Sequence, residues 1–145
     1  MDSENKLRLT SDTIGILKRA KSDFLASQCR EDVSLLFVLR TIARWDRKVS
    51  NMALVQCGAE LHLLDSAIEE LLGRAPRDRV GMTNVFEAIA LNAKAASERM
   101  GVDFVASEHL VLAILNSGDE SARLLVERNV TSDNYSATIH EMYGS

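Results

Sequence analysis

The chain reads as one helical pattern written twice, and that repetition limits its possible folds more than any other feature. Set against residues 82–115 without a gap, residues 9–42 match Thr10 with Thr83, Ile16 with Ile89, Ala20 with Ala93 and Lys21 with Lys94. Ser34, Val38 and Leu39 match Ser107, Val111 and Leu112. After a two-residue shift, Leu54 matches Leu125, Val55 matches Val126, Ile68 matches Ile139, Glu70 matches Glu141 and Gly73 matches Gly144. A half-sized unit of four amphipathic helices leaves an apolar stripe that it cannot cover alone. Two such units are therefore expected to pack together about a pseudo-twofold axis.

Apolar periodicity supplies the helices. Ile16, Leu17, Ala20 and Phe24 place one face on a helix over residues 10–27, with Thr10 at its start. The run Leu35 to Leu39 is short enough for a strand. Its continuation through Ile42, Ala43 and Trp45, without Gly or Pro, favours a buried helix. A short helix over residues 51–56 stops at Gly58. Leu61, Leu64, Ile68, Leu71 and Leu72 then form a stripe that Gly73 is expected to end as a C-cap. In the second half, helices are expected over residues 83–100, 108–116, 120–128 and 132–143. Thr83 and Ser107 stand as N-caps, and Gly101 as a stop. The fold class is all-α, with eight helices in two four-helix repeats. Repeat one covers residues 9–73, a linker 74–81 and repeat two 82–144, within a single domain over 1–145.

Charge and cysteines exclude several function classes. Residues 1–81 carry 13 Lys and Arg against 12 Asp and Glu, and residues 82–145 carry 4 against 9, so the net charge of −4 sits in the second half. A nucleic-acid binder shows a basic excess instead. No apolar run reaches the ~18 residues of a membrane span. The start, Met1-Asp2-Ser3-Glu4, lacks the basic and apolar regions of a signal peptide. Cys29 and Cys57 have no CxxC spacing and read as reduced thiols, which fits a cytoplasmic protein. No GxxxxGK[ST] phosphate loop is present, and no Ser, Cys or His set suggests catalysis. No cofactor and no metal are expected.

The segment Phe104 to Leu115, with Ala106-Ser107-Glu108-His109-Leu110 at its heart, resembles the signature of the N-terminal repeat of Clp-type unfoldase ATPases. Ala93-Lys94-Ala95-Ala96 leading to Met100-Gly101 is similar to that family's first helix and closing Gly. Ala122 to Val130 looks like its third helix, with Asn129 where Gly is usual. In repeat one the signature is degenerate, with Leu35 and Leu36 where Glu and His would stand. The resemblance implies the double Clp N-terminal fold over nearly the whole chain and a role in docking proteins. The implied partners are Clp ATPase or protease subunits, adaptors or substrates, with no nucleic acid and no membrane. The Met start and the end just after repeat two fit a free-standing protein without the ATPase modules.

Three sets of residues are candidates for a site. In the branch of the family that recognises phosphorylated arginine, a Thr at the first helix start and the Glu of the signature hold the ligand. Here the resemblance carries this to Thr83 and Glu108, and more weakly to Thr10, whose repeat has Leu35 in place of Glu. The plainer reading is that these residues cap and favour helix N-termini. Arg40, Arg44, Arg47 and Lys48, with Trp45 nearby, form a basic helix face that is solvated, docks an acidic partner or weakly grips nucleic acid. The acidic second half favours an acidic protein over nucleic acid. Leu35 and Leu36, if exposed, extend that docking face. Their presence motivates an alternative function, an assembly factor of a Clp protease complex that has lost peptide recognition and acts through protein contact or self-association. His109 is a metal ligand, an acid/base group or, having no second His or Cys at ligand spacing, a structural histidine. His62 and His140 read as surface residues.

Overall fold

The computed structural model describes residues 7–77 and 84–144. Among these residues the chain forms eight α-helices: α1 (Ser11–Ser27), α2 (Ser34–Arg44), α3 (Val49–Cys57), α4 (Leu61–Arg74), α5 (Asn84–Arg99), α6 (Ser107–Leu115), α7 (Glu120–Glu127) and α8 (Ser132–Gly144). One 3₁₀ turn, Glu31–Val33, precedes α2. The described residues contain no strand, and the one bridge pairs Leu9 with Val105. None of their helices is long and apolar enough to cross a membrane.

The repeat is visible in the backbone as well as the sequence. Gln28 (φ 66°) after α1 corresponds to Gly101 (φ 76°) after α5, and Gly58 (φ 115°) after α3 corresponds to Asn129 (φ 67°) after α7. Left-handed residues are rare outside glycine, so two matched pairs of them mark the same chain path taken twice. In Gly58 the N–H bonds back to Leu54 and Val55, closing α3. Gly73 does not act this way. The helix continues one residue beyond it to Arg74, and Ala75 caps it with an ordinary extended backbone.

Helix starts follow short side-chain rules. Thr10 caps α1 by accepting from the Thr13 N–H at 3.3 Å. Asp119 caps α7 by accepting from the Ser121 N–H at 3.0 Å. Ser107, expected as a cap, is instead the first residue of α6, and its hydroxyl donates across the repeats to Ser50 Oγ at 2.7 Å.

The core runs without a break from one repeat to the other. Ile16, Phe24, Leu36, Leu39, Leu54, Leu64 and Ile68 are fully buried in the same cluster as Leu110, Ile114, Leu125, Tyr135 and Ile139. Within each repeat the first helix packs on the second, α1 on α2 and α5 on α6. Polar ties stitch the two halves. Val105 pairs with the chain before α1, accepting from the Thr10 N–H at 2.9 Å and donating to the Arg8 carbonyl at 3.0 Å. The buried Tyr135 hydroxyl donates to the Ser50 carbonyl at 2.7 Å.

The two seams between the repeats differ. On one side α3 packs directly against α8. On the corresponding side, α4 and α7 face each other across an open groove of about 270 Å³ edged by Glu70, Arg74, Glu120, Arg123 and Glu127. Cys29 is buried and accepts from Arg77, while half-buried Cys57 contacts Thr138 Oγ1 at 3.6 Å, so both thiols are free.

Candidate functional site

The Glu-His signature sits at the start of α6, where the first turn leaves backbone N–H groups unpaired. His109 turns back to fill this need: its Nδ1 accepts from the Ala106 N–H at 2.9 Å. An accepting Nδ1 puts the imidazole proton on Nε2, which lies 3.1 Å from the Tyr143 hydroxyl oxygen and donates to it. Tyr143 in turn donates to Glu108 Oε2 at 2.6 Å. The result is a directed chain, His109 to Tyr143 to Glu108, flanked by the Phe104 ring.

Burial sets the protonation of this chain. It holds the His109 pKa down at about 4, so the ring stays neutral as the Nδ1 bond requires. It also pushes the Glu108 carboxyl above its usual range, with the Tyr143 bond opposing the shift. The Tyr143 hydroxyl is raised by burial and by Glu108. Glu108 is only 4% exposed and His109 fully enclosed. The arrangement locks α8 onto the start of α6.

Repeat one replaces all three members together. Leu35, Leu36 and Leu72 hold the positions of Glu108, His109 and Tyr143 and are themselves buried. This corrects the expectation that Leu35 and Leu36 extend a docking face. They pack into the core because the polar chain of the other repeat has an apolar equivalent here. Tyr143 was not foreseen as a partner of the signature.

The remaining candidates divide. Thr10 is spent as the cap of α1, and its own N–H bonds Val105. Thr83 lies outside the described residues. Arg40 and Arg44 do not form a free basic face. Arg40 is 14% exposed and pairs with Glu69 at 2.6 Å and Asp23 at 3.7 Å, while Arg44 pairs with Asp65 and Glu69, both at 2.8 Å. The bond to Asp65 raises the Arg44 pKa further. Lys48 reaches Asp12 at 3.4 Å. Arg47 is exposed, with no ion pair among the described residues. His62 and His140 are exposed as expected.

A surface that the sequence did not single out lies between α1 and α5. Leu9, Ile14, Leu17, Phe86 and Leu91 line an apolar groove of about 460 Å³, with Lys18, Lys21 and Glu87 as its charged residues. Leu91 is 58% exposed in the middle of α5, with no tertiary reason to be apolar. Neither lysine makes an ion pair among the described residues.

An all-α double repeat with a buried Glu-His start and exposed apolar and basic side chains in a groove is built for contact with other proteins. The family described as Clp repeat (R) N-terminal domain matches residues 8–128. No curated protein matches the chain. The chain therefore belongs to the Clp repeat N-terminal domain family, whose domain is a protein-interaction module.

Proposed function

We propose that the chain is a non-catalytic docking module, acting in the cytoplasm, that delivers substrate or adaptor proteins to a Clp-type unfoldase or protease. The groove between α1 and α5 carries this reading. Exposed Leu91 beside Leu17 and Phe86 offers an apolar anchor site, and Lys18 and Lys21 against the single carboxylate of Glu87 favour a segment with acidic neighbours. Glu108, bonded to Tyr143, supports a structural role for the signature, while its phosphoarginine partner Thr83 lies outside the described residues. The assembly-factor reading loses its motive because Leu35 and Leu36 are buried.

The test is affinity capture with the tagged chain beside its Leu91→Asp variant in extracts of the source cells. Clp ATPase or protease subunits and their clients are expected with the parent chain and depleted with the variant. Equal recovery by both overturns the groove as the contact surface. Recovery of neither Clp subunits nor their clients overturns the docking role.

A further inference from the structure

Repeat one binds its helices together with charge. Asp23 on α1 pairs with Arg19 at 3.3 Å and with Arg40 of α2 at 3.7 Å. Arg40 and Arg44 reach Asp65 and Glu69 on α4. The corresponding residues of repeat two carry no fixed charge. Arg19, Asp23, Arg40 and Asp65 become Asn92, Ala96, Ala113 and Ser136, and Arg44 and Glu69 become Ser117 and His140. Where repeat one keeps about 220 Å³ of open space around its arginines, repeat two has a groove of about 630 Å³ between α5, α6 and α8. Asn92, Ala96, Ala113 and Ser136 all line it, so the groove is the space that the lost network leaves.

The chemistry of the walls selects an occupant. Arg99 stands on the rim, exposed and without an ion pair among the described residues. No carboxylate among the described residues lines the groove, and Glu98 next to it pairs with Lys94 at 3.8 Å. A cationic guest finds no counter-charge there. An anionic one finds a guanidinium able to form a bidentate pair, with the Asn92 and Asn116 amides beside it. Met100 and Leu112 supply apolar floor for the aliphatic part of the guest. We propose that this groove is a second docking site, which takes an acidic, extended segment of a partner protein with its carboxylate on Arg99.

The probe is an N-acetylated peptide of alternating Ala, Leu and Glu, titrated into the ¹⁵N-labelled full chain, with the Lys-for-Glu peptide as its comparison. The acidic peptide is expected to shift the amides of Asn92, Arg99, Ala113, Asn116 and Ser136. Added salt weakens the effect. Arg99→Ala is expected to weaken binding about tenfold. Ala96→Asp with Ala113→Arg rebuilds the repeat-one ion pair inside the groove and is expected to abolish binding. That pair of changes alters the packing of α5 on α6, whereas Arg99 is a surface residue, so Arg99→Ala decides the matter if the double variant fails to fold. Equal response to the Lys peptide, unchanged affinity in Arg99→Ala, or no groove shifts at millimolar peptide overturns the proposal. Shifts that follow protein concentration alone, the mark of a second copy in the groove, overturn it as well. The amides of Leu17 and Leu91 report the α1–α5 groove separately, so either site can fail without the other.

Discussion

At the scale of single residues, the Glu108–His109–Tyr143 chain makes the sharpest demands. Removing the Tyr143 hydroxyl takes one donor from a buried carboxylate and leaves a buried imidazole N–H without its acceptor, a loss of about 1–3 kcal/mol. Tyr143→Phe should therefore lower the unfolding free energy from urea titration by that amount, with a matching fall in midpoint. The triple change to leucine at positions 108, 109 and 143 copies repeat one and leaves no orphaned polar group. Its measured destabilisation should be smaller than the sum of the three single changes to leucine. Proton linkage gives a second handle. His109 has a folded pKa of about 4 against 6.5 for a free imidazole, so between these values the unfolded chain binds more protons. Its contribution to stability is lost as pH falls from 6.5 to about 4, and above 6.5 it is constant. The stability of the parent chain relative to His109→Leu should fall by as much as about 3 kcal/mol as pH drops through that window in denaturant titrations. Glu108 works in the opposite sense, since its raised pKa favours the folded state at low pH and that gain fades as pH rises.

Helix ends are where element-scale stability is open to change. Gln28 holds φ 66° at a position that repeat two fills with Gly101. The left-handed backbone costs a non-glycine residue about 1 kcal/mol, so Gln28→Gly should raise stability by up to that amount, read as a higher melting temperature. The helices themselves were legible from the sequence, because stripes such as Leu61, Leu64, Ile68 and Leu72 bury one face and reveal the period. Their ends were less so. Gly73 looked like a stop, but a glycine caps a helix only when its backbone turns left-handed, and here the chain continues to Arg74. The fate of Leu35 and Leu36 was hidden because a continuous apolar run does not say which side is covered. Arg40 and Arg44 read as a free face since their partners Asp65 and Glu69 lie a whole helix away. Tyr143 carried a usable signal: it replaces Leu72 just as Glu108 and His109 replace Leu35 and Leu36.

The whole molecule behaves as one core with two unequal seams. Tyr135 and Ser107 both reach Ser50 in the other repeat, and Val105 holds the chain before α1. With these ties and a continuous apolar cluster, neither half has a complete interior. Unfolding should be a single transition with coincident fluorescence and circular dichroism curves. Tyr135→Phe, which deprives the Ser50 carbonyl of its buried donor, should shift that transition by about 1–2 kcal/mol without splitting it. A split curve would mean that the halves are independent. The closed contact of α3 with α8 and the gap between α4 and α7 have a further consequence. Duplication alone would give a reversible object, able to grip two identical guests with two identical hands. With one flank shut and the other ajar, the molecule has a front and a back. A guest that fits the open flank has no matching place on the closed one, so the duplicated chain offers two unlike surfaces in place of two equivalent ones.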